Sequence, residues 1–252
     1  MAQGTFSGLI SIDHAWQSVS LEERLELVSR SQATGVLAAL AAVILIGCIA
    51  YGFDQIWLLG GGAATSIFIY PLFSSYTWRR EKPALILAYL AVRAVARRYA
   101  YGYNIGDLDI ILIYRGRMRE LFRSKEEEAE YRQQQNVDID VPLQDYKDVW
   151  IVLMRGGVVI LSERPGGAKL EFITYITHES VLRKPKQEEN AIDDRSIVIE
   201  GALSSKGRSV ILTTRFPAAQ YVFEKRFLAL VEENKITQQS LEKLRQNQHR
   251  EI

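Results

Sequence analysis

The sequence is poor in the residues from which most enzyme and metal sites are built. Among 252 residues there is one cysteine, Cys48, so an intramolecular disulfide and a cysteine-ligated metal cluster are both excluded. The three histidines, His14, His178 and His249, are far apart, and none has a second ligand at helical spacing. A metal site needs three or four converging ligands, and no such template is met. No G-x-S-x-G elbow occurs, although a Ser-His-Asp set assembled in space is not excluded by counting. Gly156-Gly157 and Gly166-Gly167 lack the context of a phosphate loop and read as turns. The pairs Asp138/Asp140 and Asp193/Asp194 sit in loop sequence, where solvation accounts for them. The expectation is a protein without catalytic residues, metal or cofactor. A formal net charge of only +1 argues against a general nucleic-acid binder.

The sharpest absence is local. No charged residue occurs from Thr34 to Phe53 or from Ile56 to Trp78, and only Asp54 and Gln55 separate these runs. Each run approaches or exceeds the roughly 20 apolar residues that cross a bilayer as a helix. So short a turn makes them antiparallel neighbours, and a two-span membrane hairpin is expected over 34–78. The acidic lead-in Glu22, Glu23, Glu26 and the immediate second run do not fit a cleaved signal peptide. Arg79, Arg80, Lys82, Arg93, Arg97 and Arg98 follow the second run, so both termini are expected in the cytoplasm. Tyr51, Phe53 and Trp57 mark the far interface, and Tyr76 and Trp78 the near one. With no ionisable group in either run beyond Cys48 and tyrosines, the hairpin reads as an anchor and not as a transport path.

Small residues recur at four-residue spacing, Gly35 with Ala39, Gly60 with Ala64 and Gly62 with Ser66, with Gly61 among them. Such spacing lets helix backbones approach, either inside one hairpin or between copies. Ahead of the runs, residues 1–33 form an N-terminal segment. Ser20 and Glu23 there make a capping box for a short helix with Leu21, Leu25 and Val28 on its apolar stripe. Pro71 should kink the second run, and Pro83 should start a basic juxtamembrane helix within 79–106. Its arginines suit anionic headgroups, and a core helix of the following domain is the alternative.

The chain beyond 107 is patterned as a cytoplasmic β domain ending at 234. Leu108–Tyr114 reads as a strand, 115–147 as a charged insert and solvated surface. Further strands are expected at Val149–Met154, Val158–Glu163, Lys169–Thr177, Ser196–Leu203 and Arg208–Thr214. Pro217 opens a helix with Phe223, Phe227, Leu230 and Val231 on its buried stripe, and Thr237 restarts a polar tail, 235–252. About six strands closed by a C-terminal helix, with RSVILTTRFPAAQYVFEKRFLALVEE at the end, resemble a pleckstrin-homology-like (PH-like) barrel. The lead-in, hairpin, basic helix and small domain together resemble the YcxB-like family of bacterial membrane proteins, with Phe216 matching the aromatic that opens the final helix. That resemblance implies a cytoplasmic-facing inner-membrane protein and brings no catalytic residues. The function expected is a scaffold or regulatory subunit that binds a protein partner or anionic lipid headgroups. The alternatives are a homo-oligomeric component of a secretion or transport assembly or a ligand-gated pore, and an enzyme whose site is built in space.

Overall fold

Ser20 caps the first helix with its side-chain oxygen, which accepts the Glu23 N–H at 3.3 Å. In the computed structural model, which describes residues 16–17, 19–53, 55, 57–121, 146–164, 167–189, 193–200 and 209–248, this helix (α1, Leu21–Gly52) runs without a break. The short amphipathic helix and the first apolar run are therefore one element. Leu21 and Leu25 are exposed, while Glu23, Leu27, Ser31 and Gly35 are buried at strict four-residue spacing. Thr34 keeps the helix going by returning its hydroxyl to the Arg30 carbonyl at 2.8 Å.

The second apolar run opens a single helix of 46 residues (α2, Trp57–Gly102) that contains both Pro71 and Pro83. A separate juxtamembrane helix beginning at Pro83 is thus corrected. Proline's fixed φ suits a helix, and the loss of one backbone donor does not end this one. Among the described residues one helix, α1, is long and apolar enough to cross a membrane, with a mean hydropathy of 2.5 over its best window. Two such spans are not supported. The second run is diluted by Gly60, Gly61, Gly62, Thr65, Ser66 and Pro71.

The chain divides into two compact units, Met1–Leu90 and Ala91–Ile252. In the first unit α1 and α2 meet through small residues. A Cβ on Gly35 would lie 2.8 Å from the Tyr70 carbonyl oxygen, and one on Gly62 would lie 3.0 Å from Ile46. The Ser31 hydroxyl bonds to Ser74, 2.9 Å from its hydroxyl and 3.1 Å from its carbonyl.

The second unit is a seven-stranded antiparallel sheet in the order β4-β3-β2-β1-β7-β6-β5. Its strands are β1 (Ile110–Leu121), β2 (Lys147–Met154), β3 (Gly157–Arg164), β4 (Gly167–Tyr175), β5 (Val181–Arg183), β6 (Ile197–Glu200) and β7 (Ser209–Thr214). The sheet is open, with β4 and β5 at its edges, which corrects the closed barrel. The three-residue β5 escaped the sequence pattern. Strand β1 also runs seven residues beyond Tyr114, into sequence read as a charged insert, and the rest of that insert (122–145) lies outside the described residues. So do His14, His249, Asp138, Asp140, Pro165, Gly166 and the turn at Ser204–Gly207.

One sheet face packs on the last helix, α3 (Pro217–Gln248). Tyr114, Met118, Ile151, Leu153, Ile160, Phe172, Ile197 and Leu212 meet Phe223, Phe227 and Leu230 in the core, with Phe216 and Val231 partly buried beside them. The helix does not restart at Thr237. The Thr237 and Ser240 hydroxyls bond back to Glu233 and Ile236 at 2.9 Å, so the tail continues α3. The other sheet face is buried too, through Ile113, Trp150, Val152, Met154, Val159, Leu161, Ile173, Val198 and Ile211. That is why β2 and β3 read as continuous apolar runs instead of alternating ones. The end of α2 is tied to the β2–β3 hairpin, where Gly156 donates to the Asp107 carbonyl at 3.2 Å and Arg155 to that of Asp109 at 3.0 Å.

Candidate functional site

Strand β1 occupies the middle of the sheet and pairs on both sides. Gly116 faces Val149 of β2 and Thr214 of β7, and Arg117 faces Asp148 and Thr213. Period-two alternation sends Tyr114, Gly116 and Met118 toward the α3 core and Arg115, Arg117 and Arg119 to the opposite face. Gly116 has no room for a side chain, because a Cβ there would lie 2.5 Å from the Thr213 carbonyl oxygen and 2.8 Å from Ile151. Its absence lets β7 approach β1 between two arginines.

A groove of about 720 Å³ opens on this second face. Arg115, Arg117 and Gly116 of β1, Asp148 and Trp150 of β2, Thr213 of β7, Arg215 just beyond it, and Asp193 and Arg195 of the β5–β6 connection line it. The Arg115 guanidinium lies 4.4 Å from the centre of the Trp150 ring and covers it, while Arg215 lies 5.5 Å from that of Phe216. Each aromatic face attracts its cation, a contribution of about 0.5–1 kcal/mol at exposed sites. Arg215 donates its backbone N–H to the Arg115 carbonyl at 2.9 Å, so the two arginines are direct cross-strand neighbours. Like charges so placed repel. Two aspartates partly offset the cluster. Arg117 Nε lies 3.3 Å from Asp148, and Arg195 holds Asp193 through both Nε, at 2.7 Å, and Nη2. The Arg195 hydrogen bonds keep the Asp193 carboxyl below its ordinary range. The Thr213 hydroxyl lies 2.6 Å from that of the buried Ser196. Among the described residues the lining carries four arginines and two aspartates.

Arg119, the next arginine along β1, is engaged differently. It donates to the Glu189 carbonyl and lies 5.3 Å from the Tyr146 ring. Arg183 is likewise bound, to both carboxylate oxygens of Glu189 at 2.7 and 2.8 Å and to Glu200.

The basic residues expected at the membrane lie along α2. Arg79, Arg80, Arg97 and Arg98 are exposed, and Arg93 is half-buried. In the first unit Lys82 is half-buried, its ammonium 5.0 Å from the Trp16 ring and 5.4 Å from the Trp78 ring. Of the small residues expected to pack helices, Gly35 and Gly62 lie at the α1–α2 contact, Ala39 and Ser66 are half-buried, and Gly60, Gly61 and Ala64 are exposed. His178 stands 3.5 Å from Glu179 at the surface. Sequence reading missed the arginine groove because it assigned 115–147 to solvated surface. The available signal was R-G-R-M-R continuing the alternation of the strand before it.

No family model matches the sequence, and no curated protein matches it. Among solved structures the chain is similar to Vav1 bound to an allosteric inhibitor, at 10% identity and a TM-score of 0.32 over 75% of this chain and 46% of that one. It is also similar to the DH/PH domains of PDZ-RhoGEF in complex with activated RhoA, at 12% identity and a TM-score of 0.35 over 86% of this chain and 57% of that one. A human RhoA complex with the DH/PH fragment gives 13% identity and a TM-score of 0.32 over 88% and 68%. The chain spans about half the length of the first two.

Proposed function

We propose that this chain is a non-enzymatic, membrane-anchored binding protein. Helix α1 is the anchor. The Ala91–Ile252 unit is a PH-like module, open along its sheet edges, whose arginine-lined groove receives an anionic part of a partner protein. Its role is that of a scaffold or regulatory subunit at a bacterial inner membrane, in line with the YcxB-like resemblance. The observation that carries the reading is the set of four arginines lining one groove on the sheet face turned away from α3, beside Asp148 and Asp193. Complementary charge at an interface accelerates encounter and rejects wrong partners.

The test uses the full chain in detergent micelles and a fluorescent Glu-rich peptide at low salt. Binding should weaken as salt rises. Replacing both Arg115 and Arg215 by Gln should raise the Kd at least tenfold by loss of charge-assisted hydrogen bonds, each worth roughly 1.5–3 kcal/mol. Arg226→Gln, on the exposed side of α3, should change nothing. Equal binding by the double variant would remove the groove as the binding surface.

A second reading is an oligomeric component of a membrane assembly. It is favoured by Gly47, Gly60 and Gly61, where among the described residues nothing lies within 4 Å of a built Cβ.

A further inference from the structure

We infer that the first unit carries a site for the headgroup of one anionic phospholipid, a phosphodiester bearing a hydroxylated head such as that of phosphatidylglycerol. The inference rests on the reading of α1 as a membrane anchor and uses the Met1–Leu90 unit alone. A pocket of about 360 Å³ opens between α1 and α2, with Tyr70, the residue that Gly35 packs against, in its wall. It stands at the edge of the uncharged runs. Ser31 and Gln32 come just before Thr34, where the first run begins, and Trp78 and Arg79 stand where the second one ends. In a bilayer crossed by α1, that is the level of the headgroups, where Trp is enriched. Leu37 and Leu40, further along α1, are more than half exposed and offer acyl chains a surface.

The polar side chains around the pocket fall into two sets. The Ser31 hydroxyl lies 2.9 Å from that of Ser74 and 3.1 Å from the Ser74 carbonyl oxygen, so these two serines satisfy each other. Among the described residues, the side chains of Gln32, Tyr70, Ser75 and Arg79 make no hydrogen bond or ion pair. They bring an amide, two hydroxyls and a guanidinium to one pocket. A guanidinium meets a phosphate in bidentate geometry, and the other three suit ester oxygens and head hydroxyls. The Trp78 ring stands 5.6 Å from that of Trp16 and 5.4 Å from the Lys82 ammonium, which adds a second positive charge nearby. No acidic residue is among the described lining, and Glu26 of α1 is paired with Arg30 at 2.5 Å. A choline or ethanolamine head therefore brings a cation that no lining carboxylate meets. The volume lies within the roughly 300–1,000 Å³ typical of ligand sites. Arg80, exposed and outside the pocket, adds only diffuse attraction.

The experiment titrates the full chain in maltoside micelles with dioctanoyl phosphatidylglycerol, dioctanoyl phosphatidylcholine and glycerol phosphate, followed by calorimetry. Phosphatidylglycerol should saturate at one lipid per chain and bind roughly tenfold more tightly than phosphatidylcholine. The preference should persist in about 1 M salt, where the Debye length is roughly 3 Å. Arg79→Gln should weaken phosphatidylglycerol binding roughly tenfold. Gln32→Ala with Ser75→Ala, which leaves the charge unchanged, should weaken it about fivefold. Arg80→Gln should change nothing. The variants lie on exposed positions of two helices, so the test survives if one of them folds poorly. Equal losses in Arg79→Gln and Arg80→Gln, or a preference abolished by salt, would overturn the pocket in favour of diffuse attraction. Equal binding of the two lipids would overturn the selectivity for an anionic head. Glycerol phosphate binding as tightly as phosphatidylglycerol would overturn the lipid in favour of a soluble phosphate ester. Alkaline washing of membranes bearing the full chain separates this site from the anchor. A chain that stays in the membrane yet shows no selective binding loses the pocket alone, and one washed out loses the anchor on which the inference rests.

Discussion

Two carboxylates in the second unit hold charge where burial would discourage it. Glu189 receives two hydrogen bonds from Arg183, and these keep its carboxyl below the ordinary range against the cost of burial. Glu171 is buried in the sheet, which by itself favours the neutral form. The Ser162 hydroxyl at 2.7 Å and the Lys147 ammonium at 3.2 Å outweigh that, and its carboxyl too is held low. An unfolded Glu titrates near about 4.3. Both groups therefore bind fewer protons folded than unfolded, and their stabilisation is complete above that value. It is lost as pH falls through the lower folded values. The urea midpoint of the full chain in detergent should accordingly drop steeply between about pH 5 and pH 3. Glu189→Gln should lower stability at pH 7 by about 1–3 kcal/mol, because Arg183 loses one of its two carboxylate partners, and should flatten the acid limb. An unchanged limb would show that the pair contributes no pH dependence. Gly116 is the other residue with a sharp requirement. Gly116→Ala forces a methyl group against the Thr213 carbonyl, and loss of β1–β7 pairing should appear as faster amide exchange at Thr213 and Arg215.

At the scale of elements, the hairpin carries its own contrast between glycines that look alike in sequence. Gly35 lies against Tyr70 and Gly62 against Ile46, whereas among the described residues nothing lies within 4 Å of a Cβ built on Gly61. Gly35→Leu should therefore separate α1 from α2 and lower the melting temperature of the purified chain. Gly61→Leu should leave that temperature unchanged and alter only oligomer size, measured by light scattering in detergent. A fall in thermal stability from Gly61→Leu would contradict the exposed placement. Sequence patterning located most of the strands within a few residues, because β-branched runs bounded by Gly, Pro and Asp are strong local signals. It failed where tertiary contact overrides local chemistry. Pro83 reads as a helix start, yet α2 passes through it. Glu23 reads as the capping-box partner of Ser20, and the pattern does not show that it is buried in line with Leu27, Ser31 and Gly35. Arg115–Leu121 reads as solvated surface, yet it is the central strand, and the arginine groove was hidden with it. The three residues of β5 carry too little pattern to stand out alone, and only their pairing with β6 defines them.

On the proposed reading, an apolar helix and a set of exposed arginines divide the work of holding the protein at a membrane. Helix α1 leaves Leu37, Leu40, Ile44 and Leu45 more than half exposed, a surface that water does not favour and acyl chains do. Arg79, Arg80, Arg97 and Arg98 are exposed on α2, and a basic residue close to an anionic membrane surface contributes about 1 kcal/mol. The two contributions respond to different conditions. Burial of α1 in hydrocarbon is insensitive to salt, whereas headgroup attraction falls within a Debye length, about 8 Å at physiological ionic strength. If α1 is the anchor, membranes bearing the full chain should retain it through alkaline and high-salt washes, and Leu40→Lys with Ile44→Lys should release it. Replacing the four arginines by Gln should leave wash resistance intact and weaken only the preference for phosphatidylglycerol over neutral vesicles at low salt. Release of the four-arginine variant by salt alone would make electrostatics the anchor. A shortened chain in the membrane fraction, detected by intact mass, would instead make α1 a cleaved leader, and the groove would then face the opposite compartment.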